Sequence, residues 1–356
     1  MPNLVSKALI AVGLKNNDQY SNIKRDETVV FFNTSAWLDE SAKLWNIPIH
    51  GWVYEPQNSW TLRTLIRRLL ARKYGLKVTP DTKHNFKRRL NLFIADNERR
   101  KRLIIEFKGQ LYALPKSKPN GQFEGIIQVP SSKIRANKHG LIEFKAILKP
   151  SDSRVIKGTM KLIRPRGVSV ISDIDDTVKK SFINDHKKMF EAAFFKDFKP
   201  VTGMPEVYRK WQEDGADFHF VSSSPWQLYQ PLKEFLDEFD FPWSTLSLKK
   251  VRIKDETFLN LFKSGLVTKP IAIKAILNRY PDRKFVLVGD SGEQDPQAYA
   301  KIAREHPEQI VKILIRNVHA DPNLNSSYSD VFSGINRRLW KTFVYPSQIK
   351  LDINSL

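Results

Sequence analysis

Two carboxylates spaced two residues apart, at the end of an apolar run, are the residues of this chain best arranged to do chemistry. The run Val168 to Ser172 leads into Asp173-Ile174-Asp175-Asp176-Thr177. An aspartate attacks phosphorus when a cation shields it and a proton donor stands close by. On this reading Asp173 forms an aspartyl-phosphate, while Asp175 protonates the leaving oxygen and then activates the hydrolytic water. Taken alone, the same string also describes a capped turn at a strand end.

Three further segments supply what such a nucleophile needs. Asp217 to Val221 runs into Ser222-Ser223-Ser224-Pro225, where hydroxyls and backbone N–H groups suit a phosphate oxygen. The alternative there is a serine turn capping the next helix. Lys269 precedes a helical pattern, Pro270 to Tyr280, and its ammonium would neutralise both the nucleophile and the phosphoryl charge. Phe285 to Gly289 ends in Asp290-Ser291-Gly292-Glu293-Gln294-Asp295, with an acid at the strand end and another five positions on, a spacing that suits Mg²⁺. Each segment alone has a plain structural reading, as a surface lysine or a polar loop. Together they occur in the required order between Asp173 and Asp295, each beside an apolar run, and that joint occurrence favours a site. Asp173, Asp175 and Lys269 are the catalytic candidates, and Ser222, Ser223 and Thr177 the substrate-binding ones.

The elements that must position these residues alternate. Apolar runs at Val168 to Ile171, Asp217 to Val221, Lys284 to Val288 and Val311 to Ile315 are separated by helical patterns at Met204 to Glu213, Trp226 to Phe239 and Pro270 to Tyr280. That rhythm predicts an α/β Rossmann-like parallel sheet, whose ligand lies at the carboxyl ends of the strands. Upstream, short runs (Ile47 to Tyr54, Leu90 to Ala95, Leu103 to Phe107, Gln110 to Leu114, Phe123 to Val129, Leu141 to Leu148, Val155 to Ile163) predict a β-sandwich. One amphipathic helix interrupts them, Trp60 to Tyr74, with Leu62, Leu65, Ile66, Leu69 and Leu70 on one face and arginines around the rest. Its stripe is expected to pack on the sandwich, with lipid headgroups as the alternative. The expected organisation is a lead at 1–24, a basic β-sandwich-like domain at 25–166 with that helix inserted, and an α/β domain at 167–356, hinged at Arg164 to Gly167.

The 356-residue chain is 41% apolar and 27% charged, as folded proteins are. It contains no cysteine, which excludes disulfides, zinc–thiolate sites and thiol catalysis. No run reaches transmembrane length, and Leu4 to Leu14 lacks a basic leader, so a cytoplasmic protein without a signal peptide is expected. The formal charge of +21 is uneven: residues 1–166 hold 32 Lys/Arg against 13 Asp/Glu, residues 167–356 hold 27 against 25. Such asymmetry points to a polyanion, an anionic membrane surface or nucleic acid.

With its four motifs in place, the second half resembles the haloacid-dehalogenase superfamily. The resemblance implies a Mg²⁺ cofactor bound by the Asp173 carboxylate, the Asp175 backbone carbonyl and Asp290, with Asp295 assisting. The strings SDIDDTVK, FHFVSSSPWQLY and FVLVGDSGEQDP behind a β-rich domain look, more narrowly, like the actin-patch-associated phosphatidate phosphatase family. That family dephosphorylates phosphatidate to diacylglycerol. An actin link is not expected, because the extended tail of fungal members has no counterpart after Leu356.

Only the 44 residues Val178 to Val221 separate the first motif from the second, leaving room for little or no cap. An open site suits a membrane-embedded phosphate. The expected function is therefore Mg²⁺-dependent phosphatidate hydrolysis at an anionic membrane, the lipid being both substrate and docking surface, with peripheral association and no firm protein partner. The alternatives are a non-catalytic phosphatidate-binding module, which typically loses an acid of the first motif, and a phosphatase of nucleic acid or other phosphomonoesters.

Overall fold

The structure, a computed structural model, describes residues 12–13, 19–57, 60–250 and 268–356. Most of the N-terminal lead and the Leu62 side chain lie outside the described residues. Chain contacts divide the protein into two units, 1–58 with 94–164, and 59–93 with 165–356.

The first unit is β-rich. Its strands are β1 (Val12–Gly13), β2 (Thr28–Phe32), β3 (Thr34–Asp39), β4 (Leu44–Glu55), β5 (Asp96–Asn97), β6 (Ile104–Phe107), β7 (Gln110–Ala113), β8 (Gln122–Pro130), β9 (Leu141–Ala146) and β10 (Lys157–Ile163). Instead of two separate sheets they form one, ordered β1-β7-β6-β9-β10-β3-β4-β2, with β5 and β8 also paired to β4. The parallel pairing of Met160 to Ile163 against Thr34 to Trp37 joins what would otherwise be two layers. Phe31 of β2 meets Phe144 of β9 edge-on at 4.8 Å, so the sheet curls over a shared core that includes Ile47, Ile105, Ile127 and Met160.

Leu90 to Ala95, expected as a strand, is instead mostly the end of a helix. Between β4 and β5 the chain forms a hairpin of α1 (Trp60–Tyr74) and α2 (Pro80–Ile94). Phe86, Arg89, Leu90 and Phe93 recur at helical spacing and are the buried residues of α2, and that periodicity outweighs the local apolar run. The hairpin also packs elsewhere than expected, clustering with the second unit.

The second unit is built on β11 (Val168–Ser172), β12 (Asp217–Pro225), β13 (Ser244–Lys249), β14 (Lys284–Asp290), β15 (Ile310–Arg316) and β16 (Trp340–Phe343). Their order is β13-β12-β11-β14-β15-β16 and every pairing is parallel. The helices are α3 (His186–Phe194), α4 (Met204–Glu213), α5 (Tyr229–Glu238), α6 (Thr268–Arg279), α7 (Asp295–Glu305) and α8 (Leu324–Val331). Val170, Ile171, Val286, Leu287 and Val288 are fully buried, as the central strands of a sheet covered on both faces must be. β13 and β16, the two edges, carry weaker apolar runs than the strands they flank.

Aromatic pairs join the hairpin to α3: Tyr74 stacks on Phe190 at 5.1 Å, Phe86 lies 5.0 Å from Phe195, and Phe93 lies 5.3 Å from Phe194. Such pairs each add roughly 0.5–1.5 kcal/mol beyond their burial. Arg89 fixes the geometry. It donates to the carbonyls of Ala192, Ala193 and Lys196, which close the end of α3, and its guanidinium lies 3.9 Å over the Phe198 ring. Burial and the neighbouring Arg88 lower its pKa to about 10, so it stays charged.

Charge therefore follows contact rather than position in the chain. Residues 59–93 hold ten Lys/Arg against the single acid Asp81, so +9 of the excess in the first 166 residues belongs to the second unit. Arg89→Ala should lower the denaturation midpoint by the equivalent of roughly 2–4 kcal/mol, because it strands two buried carbonyls and a part-buried one and opens a cavity. Equilibrium urea unfolding measures this, and an unchanged midpoint would show that the guanidinium contributes nothing to docking the hairpin.

Candidate active site

The site forms where β11, β12 and β14 end together. The backbone N–H of Asp173 still donates to Val288 O at 2.9 Å, continuing the sheet one residue past β11. The chain then turns sharply at Asp176, whose φ of 53° is left-handed. The Asp176 carboxylate accepts from the backbone N–H groups of Ser181, Phe182 and Ile183 at 2.7, 3.0 and 2.8 Å, and Arg316 at the end of β15 donates to its carbonyl at 2.5 Å. Asp176 thus serves to close the loop that presents its neighbours.

Asp173 is fully buried, and neither carboxylate oxygen accepts a hydrogen bond of normal geometry from the described residues. Its Oδ1 lies 2.8 Å from Lys269 Nζ, so the contact is one of charge. Lys269 also reaches Asp295 at 2.7 Å and Glu293 at 2.5 Å. Burial disfavours the ammonium, but the charges of Asp173, Asp295 and Glu293 outweigh it and hold the lysine well above its usual range. Burial pushes Asp173 well above the usual carboxylate range, against the pull of Lys269 and with Asp295, Glu293 and Asp290 pushing the same way. Asp290 is raised likewise by burial and by Asp295.

These numbers describe a cluster short of positive charge. Asp173, Asp290 and Asp295 bring carboxylate oxygens within 4.8 Å of one another, all buried, and Asp290 Oδ2 accepts no hydrogen bond. Three buried acids, two of them with unclaimed oxygens, and one lysine form an oxygen-donor set that fits a hard divalent cation. The backbone makes room for it: a Cβ on Gly289 would fall 2.4 Å from Asp295 Oδ2, so only glycine lets Asp295, at the start of α7, approach β14. Its carboxylate stands at the positive end of that helix.

Asp175 is in a different state. Its Oδ1 accepts from Ser181 Oγ at 2.7 Å and pairs with Lys179 Nζ at 2.9 Å, and its Oδ2 accepts from Ser222 Oγ at 2.9 Å and Ser224 Oγ at 2.7 Å. Burial raises its pKa, but the Lys179 charge and the donors from Lys179, Ser181 and Ser224 more than reverse this and hold it well below the usual range. The Asp175 side chain is therefore outside the carboxylate cluster, ionised, and an acceptor at every lone-pair direction used. To protonate a leaving oxygen it must first gain a proton, which a phosphomonoester monoanion can bring with it.

The remaining expected residues divide. The Ser222 hydroxyl is committed to Asp175 and accepts from Ser224 N at 2.9 Å, while Ser223 Oγ reaches Glu293 at 3.4 Å. The Thr177 hydroxyl is buried without a partner among the described residues, the condition expected of a group waiting for a ligand. The sequence reading passed over Lys179, Ser181, Ser224 and Glu293. Lys179, buried and 4.9 Å over Phe198, sits inside the quoted string SDIDDTVK, but no spacing rule marks a lysine four residues after an aspartate as its partner in a turn.

A pocket opens beside the cluster. Asp175, Lys179, Ser223, Ser224 and Glu293 form its polar wall, and Ile183, Met189, Ala193, Phe198 and Leu232 its apolar wall. Trp226 is buried, which takes it away from any exposed role.

Residues 168–317 match the family described as phosphatidate phosphatase APP1, catalytic domain. An uncharacterized protein of Schizosaccharomyces pombe is 33% identical over 199 residues, 54% of this chain and 32% of its own length. Phosphatidate phosphatase APP1 of Saccharomyces cerevisiae is 36% identical over 158 residues, 43% of this chain and 26% of its own. The chain thus spans about a third or less of the curated relatives it matches. A Thermotoga maritima structure assigned as a beta-phosphoglucomutase aligns over 52% of this chain and 96% of its own at 14% identity, with a TM-score of 0.30, too slight a likeness to argue from. Residues 168–317 are thus similar to the catalytic domain of the APP1 phosphatidate phosphatase family.

Proposed function

We propose that this protein hydrolyses the phosphomonoester of phosphatidate, releasing diacylglycerol and phosphate through an aspartyl-phosphate on Asp173. The observation that carries the reading is Asp173 itself: a buried carboxylate with no hydrogen bond to either oxygen, one oxygen 2.8 Å from Lys269 Nζ, beside Asp290 and Asp295. An oxygen without hydrogen bonds keeps its electron pair available to attack phosphorus.

The steps follow from the residues. Asp173 attacks phosphorus, the ester P–O bond breaks, and the diacylglycerol oxygen takes the proton that Asp175 has gained from the bound monoanion. Asp175, ionised again within its cage of hydroxyls, then accepts a proton from the water that attacks the phosphoryl-aspartate. Phosphate leaves carrying the proton that Asp175 took from the water, and both aspartates are restored. Lys269 offsets charge on both the nucleophile and the transferring group. A Mg²⁺ ion held by Asp173, Asp290 and Asp295 would neutralise the phosphoryl oxygens. The Thr177 hydroxyl is the free phosphate donor in this reading, while the hydroxyls of Ser222 and Ser224 hold Asp175 and that of Ser223 faces Glu293.

The substrate assignment is supported by the family match and by the pocket, whose walls pass from charged to apolar, as a phosphate on an apolar alcohol requires. Between Thr177 and Ser222 the described chain forms only α3 and α4 as helices, so little covers the entrance besides α3. This is consistent with a substrate presented from a membrane.

Phosphate release from phosphatidate in mixed micelles should require a divalent cation and fall at least 10³-fold in Asp173→Asn. Turnover near the wild-type rate by that variant would sink the mechanism, and wild-type activity confined to a soluble ester would sink the lipid assignment alone. Lys179→Met should lower kcat by about 10- to 100-fold by releasing Asp175 from its position. The same change should leave Mg²⁺-induced thermal stabilisation intact, since Lys179 lies outside the Asp cluster.

Stability offers a separate test. Asp173 and Asp290 have raised folded-state pKa values, so without metal these two groups hold more protons in the folded protein than in the unfolded chain. Their contribution to stability should therefore fall as pH rises above the ordinary carboxylate range through the raised values. Saturating Mg²⁺ should flatten or reverse that slope in thermal unfolding across pH, and an identical slope with and without Mg²⁺ would remove the metal from this cluster.

A further inference from the structure

We propose that the outward face of the α1–α2 hairpin is the surface by which the phosphatase unit docks on an anionic bilayer. The inference rests on the lipid-substrate reading for its purpose, but on different residues. One face of the hairpin is fixed: Tyr74, Phe86, Arg89 and Phe93 hold it to α3 and Phe198. At 100° per residue, Trp60, Arg68, Arg72 and Leu65 share the opposite side of α1 from the buried Ile66 and Leu70. Trp60 is 71% exposed and Leu65 51%, two of the few large apolar side chains so exposed among the described residues.

The sequence expectation that Leu65 belongs to a buried stripe fails here, and the failure is informative. A tryptophan and a leucine left in water on either side of two arginines are satisfied together only at a headgroup boundary, where the rings and alkyl groups enter the acyl region and the guanidiniums meet phosphates. A nucleic-acid backbone would serve the arginines and leave Leu65 wet. Arg67, Lys73, Lys83 and Lys87 are also exposed on the hairpin, whose one acid is Asp81. Charge complementarity thus selects an anionic surface, and the apolar pair selects a bilayer.

The placement relates this surface to the chemistry. The hairpin rests on the Phe190, Phe194 and Phe195 side of α3, while Met189 and Ala193 of the same helix line the apolar wall of the pocket. One helix separates the docking face from the wall along which an acyl-bearing substrate would enter.

The test uses the full chain and vesicles of phosphatidylcholine with and without phosphatidylserine, an anionic lipid that is not a phosphomonoester. Arg67→Glu/Arg68→Glu/Arg72→Glu should lower partitioning onto the anionic vesicles by on the order of 100-fold or more, each basic residue near such a surface being worth roughly fivefold. Trp60→Ala/Leu65→Ala should bind at low salt but lose the part of wild-type binding that survives high salt. Both variants should hydrolyse para-nitrophenyl phosphate at the wild-type rate and lose turnover of vesicle-borne phosphatidate. Sedimentation of the triple variant like wild type would overturn the proposal, as would wild-type preference for duplex DNA over anionic vesicles at equal salt. A parallel loss of soluble-ester turnover would also overturn it, by showing the face to be structural. If wild type hydrolyses no lipid while the triple variant still loses vesicle binding, docking stands and the lipid-substrate reading falls.

Discussion

The architecture of the second unit answers one electrostatic constraint: several carboxylates gathered around a single buried ammonium. Asp173, Asp290, Asp295 and Glu293 surround Lys269 where the strands end, and water is excluded from most of them. Gathering like charges in a medium of low dielectric is costly, and the fold must impose it. It does so with fully buried central strands, a glycine at position 289 that lets α7 approach, and a loop closed by Asp176 and Arg316. The surplus negative charge at the cluster makes the site a receptor for a cation.

Two aspartates two residues apart therefore occupy opposite regimes. The Asp173 carboxylate has a charge contact and no hydrogen bonds, whereas that of Asp175 has donors on both oxygens and a lysine of its own. The first is left reactive and the second is left oriented. That division of labour arises from the turn at Asp176, which directs the two side chains into different surroundings although they leave the same strand end.

Much of this was legible in the sequence, because parallel strands buried on both faces must be continuous apolar runs and active groups must follow them. The strands β11, β12 and β14 lie where those runs predicted them, although β12 continues past Val221 to Pro225, and Asp173, Asp290 and Asp295 lie close together in the structure. What was not legible depends on partners distant in sequence. Leu90 to Ala95 reads as a strand until Phe86, Arg89 and Phe93 are seen to face α3, about a hundred residues on. Lys179 reads as one lysine of a pair until Asp175 and Phe198 close around it. The charge split by position gave the hairpin's excess to the wrong unit, since composition records order along the chain and not contact.

The hairpin's dual membership has a consequence for biogenesis. Residues 59–93 leave the ribosome well before α3, their partner, and the first unit cannot be completed until the chain returns at residue 94. At synthesis rates of roughly 5–20 residues per second, Phe86, Phe93 and Arg89 would wait on the order of 5–20 s for α3 to emerge. During that interval an apolar, strongly cationic hairpin is a ready client for chaperones or for an anionic surface. The two units are thus interleaved in time as well as in sequence, and a cut at the apparent hinge near Gly167 would separate the second unit from part of its own core.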